Sequence, residues 1–68
     1  MTKRQEELVD ALREFVAVNR HAPTQAELAA VLGVSRTRVE HIICALEKRG
    51  VVRRFPRQSR TLHIVQAS

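Results

Sequence analysis

The sequence predicts an α+β fold that is mainly α, with three helices followed by a C-terminal two-stranded β-hairpin. Between residues 24 and 50, two segments with helical periodicity meet at Gly33, which can adopt the positive φ of a tight interhelical turn. After Gly50 the apolar residues alternate with a period of two, as in strands. The 68 residues, 44% of them hydrophobic, suffice for one small domain with its own core. We therefore predict a single winged helix-turn-helix domain over residues 1–68.

The first helix is predicted over about residues 3–19. Thr2 and Gln5 have the spacing of a capping box, in which each residue satisfies a backbone amide of the other. The predicted core stripe consists of Leu8, Ala11, Leu12, Phe15 and Val16. Val9 and Val18 widen this stripe, either as a buried flank or as a surface for self-association. Pro23 disfavours helical backbone at the residue before it, so we expect the break at residues 20–23.

The second and third helices are predicted over about residues 25–32 and 36–49. Thr24 and Glu27 form a second capping box, and Ser35 is placed to cap the third helix. The second helix is expected to bury Leu28, Ala29 and Leu32. The core face of the third helix is expected to be Val39, Ile42, Ile43 and Leu46.

The hairpin is predicted from two short apolar runs, at about residues 51–55 and 61–66. Leu62 and Ile64 alternate with polar positions and should share one face of the second strand. Residues 56–60 between the runs contain a proline and two arginines, so they form the basic turn of the wing.

The basic residues are concentrated in the second half of the chain. Residues 1–34 carry four Lys or Arg and five Asp or Glu, whereas residues 35–68 carry eight and two. This asymmetry indicates one face suited to a polyanion. Aromatic residues are only 3% of the chain, which argues against a base-stacking binder of single strands. Double-stranded DNA is therefore the expected partner, with the third helix in the major groove.

Other features point to a reducing compartment. A single cysteine cannot form an internal disulfide, and no apolar run approaches the about 20 residues that cross a bilayer. The N-terminus has no hydrophobic segment of a signal peptide. We expect a cytoplasmic, nucleoid-associated protein without membrane contact.

Much of the chain resembles a known repressor family. The matching positions are Thr2, Arg4, Gln5, Glu7, Asp10, Pro23-Thr24, Glu27, Leu28-Ala29, Leu32-Gly33, Ala45-Leu46-Glu47, Arg49-Gly50-Val51 and Ser59-Arg60. In this order they resemble the DNA-binding domain of the LexA repressors. The turn into the third helix is one residue shorter here, and the run from Gly33 to Thr37 is similar instead to GntR-type winged helices. The peptidase domain of LexA repressors, with its Ser/Lys pair, and the effector domain of GntR proteins have no counterpart in these residues, so neither activity is carried over.

The resemblance implies specific DNA contacts. The residues that correspond to the base-contacting set of the LexA-like third helix are Ser35, Thr37, Arg38, Glu40 and His41, and Arg36 occupies the position of the arginine that GntR-type domains use. An arginine in the major groove prefers guanine O6 and N7, and Glu40 could accept from cytosine N4, so we expect a half-site that contains G·C pairs.

Phosphate contacts are expected from two other places. Thr24 and Gln25 begin the second helix, whose first amides can hold a phosphate. In the wing, the residues expected to follow the DNA backbone or reach the minor groove are Arg54, Arg57, Ser59 and Arg60.

No catalytic or metal constellation is predicted. His41 and Cys44 lie one helical turn apart, but no second Cys/His pair accompanies them, so neither zinc nor any other cofactor is expected. Since neither a Ser-His-Asp set nor a pair of carboxylates stands out, we expect no enzyme activity.

The sequence thus predicts a sequence-specific regulator of transcription, in the repressor class, that binds as a homodimer at least on DNA. The candidate dimer surfaces are Val9 with Val16 and the exposed edge of the hairpin. One alternative is an architectural, excision or replication accessory factor of a mobile element. A second is a winged helix that binds another protein, and a third is that these residues are one domain of a longer regulator.

Overall fold

The computed structural model describes residues 1–55, 58 and 60–65, and it has the predicted fold class. The three helices are α1 (Lys3–Asn19), α2 (Gln25–Leu32) and α3 (Arg36–Lys48). They are followed by strands β1 (Val52–Arg53) and β2 (His63–Ile64), which pair antiparallel with Val52 opposite Ile64. The helical boundaries agree with the prediction to within one residue. Both strands are shorter than predicted.

Each helix begins at the capping residue that the sequence predicts. Thr2 Oγ1 accepts from the Gln5 amide at 3.2 Å, and Gln5 Oε1 accepts from the Thr2 amide at 3.1 Å. The pair Thr24 and Glu27 repeats this arrangement at 3.1 and 2.8 Å. Ser35 Oγ accepts from the third amide of α3. Because a cap of this kind contributes about 1 kcal/mol, these residues fix where each helix starts.

Two helices end in left-handed backbone. Gly33 has φ 70° and its amide donates to Ala29 O, so the turn between α2 and α3 is the one that its lack of a Cβ predicts. At the end of α1 the left-handed residue is Arg20, with φ 64°. A non-glycine residue in this conformation leaves no pattern in the sequence, so only the approximate break was predictable there.

The core lies between the three helices and the paired strands. Its buried members in the described part of the chain are Leu8, Val9, Leu12, Leu28, Ala29, Val39, Ile42, Ile43, Leu46, Val52 and Leu62. The predicted core faces of α2 and α3 are confirmed, with Leu32 only partly buried. No helix among the described residues is both long and apolar enough to cross a bilayer.

The prediction for the C-terminal half of α1 was wrong in part. Val9 is buried as a flank of the stripe, but Val18 is 72% exposed and Val16 is 40% exposed. Phe15 is half-buried, with its ring edge-on to His21. The buried residues of α1 all precede Arg13, so its last two turns extend beyond the part of the helix that the core covers.

The short strands have a physical cause at their ends. After Arg53, the side chain of Arg54 turns toward α3, and the Phe55 amide donates to the Thr61 hydroxyl at 2.9 Å instead of to a strand partner. At the other end, the Val65 amide donates to Val51 O at 2.8 Å, which closes the hairpin against the end of α3. The predicted alternation of β2 is confirmed, since Leu62 is buried, His63 is exposed and Ile64 is half-buried.

Candidate nucleic-acid interface

The first turns of α3 present a cationic surface to solvent. Arg36 and Arg38 are exposed, and neither forms an ion pair with any described residue. The neighbouring residue Val39 is completely buried, so its packing in the core holds the backbone of this segment in place. The remaining exposed members of the predicted set are Ser35, Thr37 and His41. Five of the six predicted base-contacting residues are therefore exposed at the start of α3.

The first amides of α2 are also available. The amides of Gln25 and Ala26 donate to no acceptor in the part of the chain that the structure describes. Thr24 Oγ1 already accepts from the Glu27 amide, although its hydroxyl proton can still be donated. A helix N-terminus with free amides favours an anion such as phosphate. These groups lie where the sequence predicts phosphate contacts by Thr24 and Gln25.

Glu40, the sixth residue of the predicted base-contacting set, is engaged within the protein. Arg54 Nη1 and Nη2 donate to Glu40 Oε1 and Oε2 at 2.9 and 2.7 Å, in a two-bond arginine–carboxylate pair. Gln25 Nε2 donates to the same carboxylate, and so does the thiol of Cys44 at 3.3 Å. The hydrogen bonds from Arg54, which outweigh the effect of burial, lower the pKa of Glu40 to about 2. Glu40 is thus an ionised acceptor whose lone pairs are largely occupied.

Arg54 lies across α3 and does not extend into solvent. Besides its bonds to Glu40, its Nε lies 3.5 Å from Glu47 Oε2, and its side chain is only 24% exposed. The hydrogen bonds to Glu40 raise the pKa of Arg54 above its ordinary value. In this conformation the guanidinium is held by carboxylates, whereas the sequence suggested that it follows the DNA backbone.

Arg60 is held in a similar way at the far side of the wing. Its guanidinium donates to both carboxylate oxygens of Glu27, at 2.9 and 3.2 Å, and to Ala22 O at 3.2 Å. It also lies 3.2 Å from Nδ1 of His21. The hydrogen bond from the Thr24 amide has the largest effect on the Glu27 carboxyl and lowers its pKa. The hydrogen bond from Arg60 lowers it further. The predicted wing contacts Arg57 and Ser59 lie outside the described residues.

A groove of about 820 Å³, open to solvent, lies between the wing and the helices α2 and α3. Gln25, Arg36, Arg54 and Arg60 are among the residues that line it. Glu47 also lines it, and Arg36 is the residue through which the groove adjoins the start of α3.

His41 and Cys44 both lie on α3, three positions apart. Among residues 1–55, 58 and 60–65, no group of three His, Cys, Asp or Glu side chains is placed to hold a metal ion. The hydrogen bond from the Cys44 thiol to Glu40 raises the pKa of that thiol, which disfavours the thiolate that a metal requires.

The carboxylates that dock the wing were missed from the sequence. The sequence predicts only a helix cap for Glu27 and no contact for Glu47. A usable indication was present, because three acidic residues lie on the two helices that face a basic hairpin. The sequence-based prediction places Arg54 and Arg60 on DNA, whereas in the structure both pair with these carboxylates.

Comparison with known proteins shows similarity to one family. Residues 1–61 match the family model described as the LexA DNA binding domain. The chain is 32% identical to a LexA repressor of Magnetococcus marinus over 100% of this chain and 29% of the relative. It is 34% identical to that of Marinobacter nauticus, over 98% of this chain and 34% of the relative, and 36% identical to that of Methylococcus capsulatus, over 96% and 33%. The chain spans about a third of the length of the curated relatives it matches.

Proposed function

Because this chain belongs to the LexA DNA-binding domain family, we propose that it binds specific sites on double-stranded DNA and represses transcription there. The observation that carries the proposal is the exposed start of α3. Arg36 and Arg38 stand free of the described acidic residues on a segment that Val39 anchors to the core. The proposed module is a binding domain without catalytic activity.

The proposed mechanism places α3 in the major groove. A groove about 12 Å wide admits one helix, and the N-terminal turns of the recognition helix are the part that reaches the base edges. Arg36 and Arg38 would each donate two hydrogen bonds to guanine O6 and N7. Thr37 and His41 lie on the same exposed side and would contact neighbouring bases, with Ser35 at the phosphate edge. Guanine-containing half-sites follow from this assignment.

The amides at the start of α2 would fix the position of α3 on the duplex. Since the amides of Gln25 and Ala26 lack acceptors in the described chain, a DNA phosphate would satisfy both at once. Such a contact orients the domain but carries no sequence information.

We propose that two copies bind one site. A single module of this size buries only about 600–1,000 Å² of protein surface on DNA, so two half-sites about one helical turn apart provide useful affinity. Val9 is buried and is not available as the dimer contact, whereas Val16 and the edge of the hairpin remain candidates.

The test is selection of bound sequences from random duplexes, followed by affinity measurements at several salt concentrations. The expected result is an enriched motif with G·C pairs in two half-sites, and an affinity that falls as salt rises. A double variant Arg36→Ala/Arg38→Ala should lose the motif. The matched control Lys3→Ala/Arg13→Ala removes the same charge from exposed positions on α1 and should retain it. Failure of the wild-type chain to enrich any motif would refute sequence-specific binding.

A further inference from the structure

Glu40 connects three elements that face the proposed DNA site. It lies one turn into α3, and its carboxylate accepts from Gln25 at the start of α2 and from Arg54 at the start of the wing. The side chain is 39% exposed, so it is neither buried in the core nor free in solvent. A carboxylate at this position would face the negative field of the duplex.

We infer that Arg54 is a positioning residue that neutralises and orients Glu40, and that Glu40 fixes the wing and α2 to the recognition helix and does not select a base. This inference deepens the proposed function and rests on it. Both roles depend on one intramolecular salt bridge, that between Glu40 and Arg54, on the helix that is proposed to face DNA.

The geometry favours this role over direct DNA contact by either residue. A planar guanidinium that donates through both Nη atoms occupies both carboxylate oxygens, and the remaining acceptor sites receive Gln25 and Cys44. For Glu40 to accept from cytosine N4, these bonds would have to open beside a polyanion. The freed carboxylate would then be repelled by phosphates.

The same contacts account for Arg54. Its Nε lies 3.5 Å from Glu47 Oε2, so all three nitrogens of the guanidinium lie close to carboxylates of α3. A phosphate would have to compete with two fixed carboxylates for this cation. The Glu40–Arg54 pair is close to neutral as a unit, so Glu40 itself adds little negative charge to the surface that approaches DNA.

The decisive experiment is a double-mutant cycle with Glu40→Gln and Arg54→Gln, measured by DNA affinity and by the selected motif. Arg54→Gln leaves Glu40 without its partner, so affinity should fall about tenfold for all sequences. Glu40→Gln frees Arg54, so unrelated duplexes should bind more tightly while the motif stays unchanged. The double variant carries the same net charge as the wild type and has no unpaired carboxylate, but it lacks the contacts that fix the wing, so it should recover part of the affinity that Arg54→Gln loses.

Two results would overturn the inference. If Arg54 contacts a phosphate directly, the double variant stays as weak as Arg54→Gln. If Glu40 selects cytosine, Glu40→Gln changes the motif at one base position, and this readout also decides the matter should Arg54→Gln fail to fold. A wild-type chain that enriches no motif refutes the proposed function itself. That outcome differs from a wild type that binds specifically but shows no rescue.

Discussion

The change Arg38→Ala isolates one proposed base contact. Arg38 is exposed and forms no ion pair within the described chain, so its removal breaks no intramolecular bond of the guanidinium. Its backbone amide donates to Ser35 Oγ at 3.1 Å, and alanine keeps this cap. The fold should therefore be unchanged, and any loss of affinity reports on DNA contact.

The expected magnitude follows from the chemistry of the contact. A two-bond arginine–guanine contact discriminates against the wrong base by about 1–3 kcal/mol, which corresponds to roughly 5- to 150-fold in affinity. With the contact removed, the variant should bind the selected site weaker by a factor in this range. It should also bind sites altered at that one base pair almost as well as the unaltered site.

The assay is fluorescence anisotropy of a labelled duplex and its single-base substitutions, at one fixed salt concentration. Arg13→Ala, at an exposed position of α1, serves as the charge-matched control and should change affinity less than twofold, roughly the screened long-range effect of one charge. Equal weakening on every duplex would make Arg38 a phosphate contact. Unchanged affinity would show that Arg38 does not contact the DNA.

Three further predictions concern the scaffold. Leu46→Ala should cost about 2–5 kcal/mol of unfolding free energy because Leu46 is completely buried, and a loss below about 1 kcal/mol on thermal unfolding would contradict the described core. Gly33→Ala should cost only about 1–2 kcal/mol, since φ is 70° but an added Cβ meets no atom within 4 Å; a much larger loss in urea unfolding would indicate a steric clash. The Glu40 pair should stabilise the fold fully above pH 4.5 and lose this contribution as pH falls toward about 2. Because Glu40 is 39% exposed, screening limits the loss to about 1 kcal/mol, and Glu40→Gln should flatten this part of the pH–stability profile, whereas an equally steep profile would place the titration elsewhere.

The helices were predictable because their determinants are local. Thr2, Thr24 and Ser35 each cap a helix through an amide three residues later, a spacing that is visible in the sequence. Gly33 likewise marks its turn without reference to the rest of the fold. The buried stripes of α2 and α3 follow from helical periodicity alone.

Features that depend on distant residues were not predictable in the same way. Val18 belongs to the apolar stripe by spacing, but it is exposed because α1 extends past the core. The strands end early because Arg54 donates to Glu40 on α3 and because the Thr61 hydroxyl, not a strand carbonyl, accepts from the Phe55 amide. Periodicity records which side a residue faces, and it does not record where the neighbouring element stops.

In the candidate site too, features with local determinants were predictable and contacts between distant residues were not. The exposure of the α3 residues was predictable, because the position of a residue on a capped helix determines whether its side chain faces the core or solvent. The ion pairs of Glu40 with Arg54 and of Glu27 with Arg60 join residues that are 14 and 33 positions apart. A charge count finds the basic face, but only the fold decides which of its cations already have protein partners.

Amide chemical-shift mapping tests the central claim most directly. The ¹⁵N-labelled chain would be titrated with a duplex that carries the selected motif. The account predicts that the largest shifts fall on residues 35–41, with a second group at Gln25 and Ala26. Shifts confined to the exposed end of α1, around Val18, with the start of α3 unchanged, would contradict it.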